Sequence, residues 1–327
     1  MGLRIVNAAE VRRLLPMDRC IAAAREAMVL TSSGQAVQPI RTKMDVPNGR
    51  GLLGMMPGAL KQPGRLGIKI VTVFPGNFGT NLGSHQGAML LFDPDNGTPL
   101  AMLDAGAVTA IRTGASSGVA TDVLANPGAA TLGVYGYGEQ AEMHIEAMHC
   151  VRPIERVLIW GRDAAKAAAF AERMTHETGL DVEARTDAAT LPAECELICT
   201  TTAAAEPFFK GEWLRAGLHL NVVGSSVPTT AEIDVATLAG SRVWVDFRDS
   251  ALALGGDIRR AVAAGVETDR FLVGEVGEVI LGKVEGRGGA GDVTLFKSLG
   301  MVSEDLTAAW SVYAAAEAEN AGVIVDF

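Results

Sequence analysis

The sequence predicts an α/β protein: a doubly wound parallel sheet of the Rossmann type, joined to an N-terminal α+β domain built on an antiparallel sheet. Three observations predict it. A glycine-rich turn follows a short apolar run at 130–141, and short apolar strands alternate with helical stretches from about residue 119 to 298. Before residue 118 the strand-like runs are instead separated by Pro/Gly turns. Two domains are therefore expected: 1–118 together with a C-terminal helix in 299–327, and 119–298. A chain of 327 residues that is 48% hydrophobic can bury cores for both.

In chain order, residues 8–32 have a helical pattern, and 39–46, 66–74 and 87–92 read as strands. Pro94-Asp95-Asn96-Gly97 forms a turn. Residues 131–135 then form a buried strand that runs into Gly136-Tyr137-Gly138-Glu139-Gln140-Ala141. This is the phosphate turn of a dinucleotide-binding βαβ unit: Gly136 permits the tight turn, Gly138 lets backbone approach a pyrophosphate, and Ala141 lets the helix pack on the strand. The helix over 142–150 offers its N-terminus to the anion. A strand at 156–160 ends in Gly161-Arg162-Asp163, where an acidic residue would grip the ribose of NAD and an arginine the 2′-phosphate of NADP. With glycine at the strand end and Arg162 next, NADP is expected and NAD remains possible. Asp163 is either an N-cap or a displaced ribose ligand. Further strands are expected at 197–201, 218–223 and 243–247, with Val223 and Gly224 lining the nicotinamide end. The helical tail at 299–321 is expected to fold back on the first domain.

The formal charge of −10 and the lack of a Lys/Arg cluster argue against nucleic-acid and acidic-membrane partners. Cys20, Cys150, Cys195 and Cys199 show no metal-ligand spacing, so reduced thiols and no metal site are expected. The start of the chain has no signal-peptide pattern and no run long enough to span a bilayer, which suggests a cytoplasmic protein. His144 and His149 are five apart on one predicted helix, off a shared face.

The chain resembles the ornithine cyclodeaminase/mu-crystallin family through nearly its whole length. The carriers are G-I-K-I-V at 67–71, S-H-Q-G at 84–87, L-L-F-D-P-D-N-G-T-P-L-A at 90–101, T-A-I-R-T-G-A at 109–115, G-V-Y-G-Y-G-E-Q-A at 133–141 and D-V-T-L-F-K-S-L-G at 292–300. The resemblance implies an NAD(P)-dependent protein acting on a small α-imino or α-amino acid. It further implies a homodimer made through the N-terminal antiparallel sheet, with substrate binding in that domain and the active site between the two domains.

Such a substrate needs cations for its carboxylate, and Arg41, Lys69 and Arg112 match the family's carboxylate residues. Lys69 is informative by itself: inside Ile68-Lys69-Ile70-Val71 an unpaired ammonium is costly to bury, so it faces a polar pocket or snorkels from an edge. Arg112, in a small-residue segment, needs a carboxylate partner, either substrate or an aspartate such as Asp104 or Asp122. Arg41 alternates with Lys43 and Asp45 as on a solvated strand face. His85 is a candidate proton donor or a structural loop residue, and Thr113 a candidate contact to the cofactor phosphate. Met55, Met56 and Pro57 are plausible pocket walls.

The decisive departure is at Val223-Gly224-Ser225-Ser226-Val227-Pro228. Cyclodeaminases that this chain resembles carry a catalytic aspartate where Ser226 stands. A hydroxyl does not serve unaided as the base that cyclising deamination needs. It can orient an imine for hydride transfer, or it can belong to a turn capping the next helix, expected to include 231–234. Phe296 and Lys297 read as packing and helix-terminal charge. The function expected is NAD(P)H-dependent reduction of small cyclic or linear ketimines, such as pyrroline-2-carboxylate or piperideine-2-carboxylate. The alternatives are ornithine cyclodeamination, alanine-type dehydrogenation, and non-catalytic crystallin-like nucleotide binding.

Overall fold

The computed structural model describes residues 2–327 apart from 78, 79, 81 and 84. The chain divides into one unit of Met1–Arg112 with Met301–Phe327 and another of Thr113–Gly300. The sequence places the divisions at 118/119 and 298/299; the contacts place them at 112/113 and 300/301.

The first stretch contains β1 (Gly2–Val6), α1 (Ala8–Leu14), α2 (Met17–Ser32), β2 (Ala36–Val37), β3 (Thr42–Asp45), β4 (Leu52–Leu60), β5 (Arg65–Val73), β6 (His85–Phe92), β7 (Pro99–Asp104) and the long helix α3 (Ala105–Leu124). The middle stretch has β8 (Thr131–Tyr135), α4 (Glu139–Val151), β9 (Arg156–Trp160), α5 (Ala164–Thr178), β10 (Asp181–Arg185), α6 (Thr190–Glu194), β11 (Leu197–Thr200) and β12 (His219–Val222). It continues with α7 (Val235–Ala239), β13 (Arg242–Val245), α8 (Arg248–Leu254), α9 (Gly256–Ala263), β14 (Leu272–Glu275), α10 (Val276–Ile280) and β15 (Thr294–Lys297). Helix α11 (Val302–Ala318) and strand β16 (Val323–Asp326) close the chain.

The helix expected over 8–32 is two helices. Pro16 has no N–H to donate into a continuing helix and stands instead as the N-cap of α2, while Asn7 and Glu10 form a capping box on α1. The sheet of the first unit runs β16-β1-β7-β6-β5-β4-β2, with β3 also on β4. All its pairs are antiparallel except β1 with β7. Strand β4 escapes sequence reading because Leu-Leu-Gly-Met-Met-Pro-Gly-Ala-Leu carries three turn-forming residues. In the sheet, two glycines serve close approach: a Cβ on Gly58 would stand 2.5 Å from Val302 Cγ1, and one on Gly67 2.7 Å from Leu306 Cδ2. Helix α11 packs against this face and against α2, as the fold-back of the tail requires. On the opposite face Ile68, Leu90 and Met102 sit abreast on β5, β6 and β7 and are half-buried.

The second unit holds eight parallel strands in the order β10-β9-β8-β11-β12-β15-β13-β14. The chain proceeds outward from β8 through β9 to β10 and then returns to β11 on the other side of β8, so the topological switch point lies between β8 and β11. The strands unread in the sequence are β10, a polar edge strand, β14 and β15. Helix α3 meets α4 closely: a Cβ on Gly114 would stand 2.6 Å from Met143 O, and Ser117 Oγ lies 2.9 Å from His144 Nε2. His144 Nδ1 lies 2.7 Å from Gln140 O, and burial pushes this imidazole down to about 4, so it is a neutral packing residue. No helix among the described residues is long and apolar enough to cross a membrane.

Candidate active site

Lys69 lies at the centre of the first unit's sheet, with Met56 and Met89 as its cross-strand neighbours, and is 3% exposed. Its ammonium is 2.6 Å from Asp305 Oδ2 and 3.5 Å from Thr109 Oγ1. Burial pushes its pKa down to about 8 against the pull of Asp305, and the charges of Arg112 and Arg41 push the same way. Arg112 donates from Nε to Asp305 Oδ1 at 2.9 Å and from Nη1 to Glu304 Oε2 at 3.1 Å. Its protein partners are therefore Glu304 and Asp305, not the Asp104 or Asp122 suggested by the sequence. Asp104 accepts from Ala107 N at the start of α3, and Asp122 pairs with Arg152. Arg41 is half-buried and stands just before β3, so only Lys43 and Asp45, an exposed pair at 3.4 Å, fit the solvated strand face. Lys69 and Arg112 are thus paired with the carboxylates of Glu304 and Asp305, and Arg41 stands close enough for its charge to act on Lys69.

Glu304 and Asp305 were not found by sequence reasoning. Two acids in the first turn of a helix look like ordinary partners of its dipole. The available signal was their place in an apolar helix, in a chain whose buried lysine and arginine both needed counter-charges. Met56 lies on the Lys69 face, whereas Met55 points to the other face and Pro57 is exposed. His85 begins β6, but its side chain lies outside what is described.

At the end of β8 Gly136 adopts φ +124, and a Cβ there would stand 2.6 Å from Thr201 Oγ1 just beyond β11. Nothing lies within 4 Å of a Cβ built on Gly138, the N-cap of α4, so the turn is open where a pyrophosphate would approach. Ala141 is fully buried. These features fit a dinucleotide at the switch point. Glu139 and Gln140 open α4, which begins three residues before the start read from sequence. Thr113 is buried on α3. The Tyr137 ring lies against Gly161, where a Cβ would come within 2.2 Å of it; Arg162 beside it is exposed. Asp163 caps α5 by accepting from Lys166 N at 3.1 Å, as the first of its two sequence readings has it.

Beyond β12, Val223 is buried, Ser225 is fully buried and Ser226 half-buried. Two expectations fail here. Residues 231–234 are not helical; Asp234 instead caps α7 by accepting from Thr237 N, so Ser225 and Ser226 cap no following helix. Nor is Lys297 a helix-terminal charge. It ends the buried strand β15, is fully buried and pairs with Asp257 at 2.9 Å. As the last residue of a four-residue strand, Lys297 looks like a helix-end charge until its partner is known. Burial pushes Cys195 and Cys199 up to about 12, which leaves them inert thiols near neutral pH.

The sequence profile of the ornithine cyclodeaminase/mu-crystallin family matches residues 3–320. The Delta(1)-pyrroline-2-carboxylate reductase of Bacillus cereus is 35% identical over 324 residues, 99% of each chain. The ketimine reductase mu-crystallin of Mus musculus is 37% identical over 280 residues, 86% of this chain and 85% of that one. Among solved structures, the Delta(1)-pyrroline-2-carboxylate reductase of Thermococcus litoralis, in complex with NADH and L-proline, superposes with a TM-score of 0.95 at 32% identity, covering 99% of this chain and 100% of that one. With its glycine turn at a switch point, its buried cation cluster and this similarity from end to end, the chain belongs to the ornithine cyclodeaminase/mu-crystallin family.

Proposed function

We propose that this protein reduces small cyclic or linear α-imino acids, such as pyrroline-2-carboxylate or piperideine-2-carboxylate, to α-amino acids at the expense of NAD(P)H. One observation carries reduction over cyclodeamination: the Gly224–Pro228 turn contains no carboxylate, and the acids nearest to it in sequence are already engaged. Glu232 accepts from Thr200, Thr202 and Gly224, and Asp234 caps a helix. A base strong enough for cyclising deamination is therefore missing from the place that would supply it.

When bound, the nicotinamide supplies hydride to the imine carbon. Arg41, Lys69 and Arg112 hold the substrate carboxylate. Ser226 orients the imine nitrogen by hydrogen bonding, and His85 belongs to the same proton-handling set. Hydride adds to carbon and a proton to nitrogen, so C=N becomes CH–NH. With a pKa near 8, Lys69 is a proton source of suitable strength. Gly136, Tyr137, Gly138, Glu139, Gln140, Thr113, Val223 and Gly224 serve the cofactor. Gly161 under Tyr137 leaves no acidic side chain to repel a 2′-phosphate, and the exposed Arg162 favours one, so NADPH is preferred to NADH.

NADPH and NADH oxidation are to be followed with a panel of cyclic and open imino acids. The unmodified protein should oxidise NADPH with pyrroline-2-carboxylate, and Ser226→Asp should lower that rate by about 10²-fold. Ammonia release from ornithine by the unmodified protein, without net cofactor oxidation, would overturn the assignment. We also propose a homodimer through the apolar sheet face of Ile68, Leu90 and Met102. Leu90→Glu should convert a dimer to a monomer in sedimentation velocity, since a stable interface buries about 1,200–2,000 Å² and does not tolerate an unpaired charge at its core.

A further inference from the structure

We propose that Glu232 is the positioning residue of the turn that carries Ser226, and that Lys297 and Asp257 complete the device by holding the same turn from its other side. This inference rests on the imine-reductase reading above. Glu232 is fully buried. Its Oε1 accepts from Thr202 N and Thr202 Oγ1, and its Oε2 from Thr200 Oγ1 and Gly224 N, all at 2.7 Å. One carboxylate thus ties the chain leaving β11 to the chain leaving β12. The tie leaves no room for a side chain: a Cβ on Gly224 would stand 2.1 Å from Thr202 O and 2.5 Å from Glu232 Oε1.

The backbone of Glu232 is itself held. Its N–H and that of Ile233 donate to Asp257 Oδ1 at 2.8 and 3.2 Å, and its carbonyl accepts from Phe208 N and Phe209 N at 3.0 Å. Asp257 Oδ2 then pairs with Lys297 Nζ at 2.9 Å, and that ammonium donates to Ser225 O at 2.6 Å. The circuit starts at Gly224 and returns at Ser225, so the two residues before Ser226 are held by separate charged groups. Burial pushes the Glu232 carboxyl up, but Lys297 and the hydrogen bonds from Thr200 and Thr202 act against it. Two of its four partners are backbone N–H groups, which can only donate and so favour the anion.

A purely structural brace would not need three buried charges, because a buried ion pair adds little stability over well-packed apolar side chains. These charges are found at the carboxyl ends of β11, β12 and β15, the side on which parallel sheets of this topology bind their ligands. What the arrangement provides is a fixed backbone under Ser226.

The test uses the full-length protein with NADPH and pyrroline-2-carboxylate, comparing Glu232→Gln, Ser226→Ala and the double variant. Glu232→Gln sets an amide NH2 against one backbone N–H donor, so it is expected to melt several degrees lower yet to stay folded at the assay temperature and to bind NADPH within about threefold. Its kcat should fall about 10–100-fold with little change in KM, and amide hydrogen exchange over 223–227 should rise about tenfold. In the Ser226→Ala background the same substitution should cost less than about threefold, because both act through one turn. Equal losses in the two backgrounds, or unchanged exchange over 223–227, would overturn the proposal. If Glu232→Gln does not fold, Thr202→Val, which removes one of the four donors, replaces it in the same cycle with the same outcomes. Failure of the underlying reading is visible separately: the unmodified protein would oxidise no NADPH, or Ser226→Ala alone would leave kcat unchanged. The exchange measurement still tests the brace in either case.

Discussion

Lys69→Met is expected to lower kcat/KM for imine reduction by about 10²–10³-fold and the unfolding free energy by about 3–5 kcal/mol. The two losses have one origin. The ammonium is a counter-charge for a fully buried Asp305 carboxylate at 2.6 Å, so its removal leaves Asp305 with the Arg112 contact and takes a cation from the proposed carboxylate site. Lys69→Arg preserves the charge and should recover much of the stability but less of the activity, because a planar guanidinium does not fit a point-charge site. Unfolding by urea and steady-state kinetics on the three proteins measure both effects. A Lys69→Met protein with normal kcat/KM would remove this residue from the substrate site.

The same group predicts opposite slopes with pH. Its pKa is about 8 in the folded protein against 10.5 for an ordinary lysine. Below pH 8 the ammonium is charged in both states, and burying it costs stability. As pH rises from 8 towards 10.5 the folded protein has released the proton while the unfolded chain still holds it, so this group's contribution to stability rises with pH in that window. Activity that needs the charged ammonium falls over the same range. A kcat/KM profile flat from pH 7 to about 9.5 would contradict the role assigned to Lys69.

Gly136→Ala should weaken NADPH binding by about 10²-fold and cost about 1–3 kcal/mol of stability. At φ +124 an L side chain is strained, and its Cβ would stand 2.6 Å from Thr201 Oγ1 and 3.0 Å from Thr201 O. The variant must therefore push apart β8 and the chain leaving β11, which flank the switch point. Gly138→Ala is the informative companion. Its φ is −103 and no atom lies within 4 Å of the added carbon, so its melting temperature should be unchanged and only cofactor affinity should fall. Thermal unfolding and fluorescence titration with NADPH separate the two cases. Equal behaviour of the two variants would mean that the turn is not a phosphate cradle.

Much of the second unit was legible because its signals are local. The run 130–141 carries a strand, a turn and a helix start within a dozen residues, and each of its small residues has a steric task that the structure bears out at Gly136 and Ala141. The break at Pro16 and strand β4 were less legible, since Pro and Gly act there through a neighbouring helix or a cap and not through a local turn. Lys297 was misread because strand and helix-end lysines look alike until a partner is known. The partner, Asp257, is 40 residues away in sequence.

The sequence by itself determined the parallel-sheet class and the glycine turn after β8, because each depends on residue type and short-range spacing, whereas Arg41, Lys69 and Arg112 were singled out together through the family resemblance. Tertiary structure alone decided what pairs with Lys69 and Arg112 and what holds the turn at Ser226. Glu304 and Asp305 reach Lys69 and Arg112 across nearly 200 residues or more, and Glu232 joins two strand ends that the chain visits separately. A buried charge needs a partner, but nothing in its own neighbourhood of the chain says which one; only the folded packing brings the candidate within 3 Å.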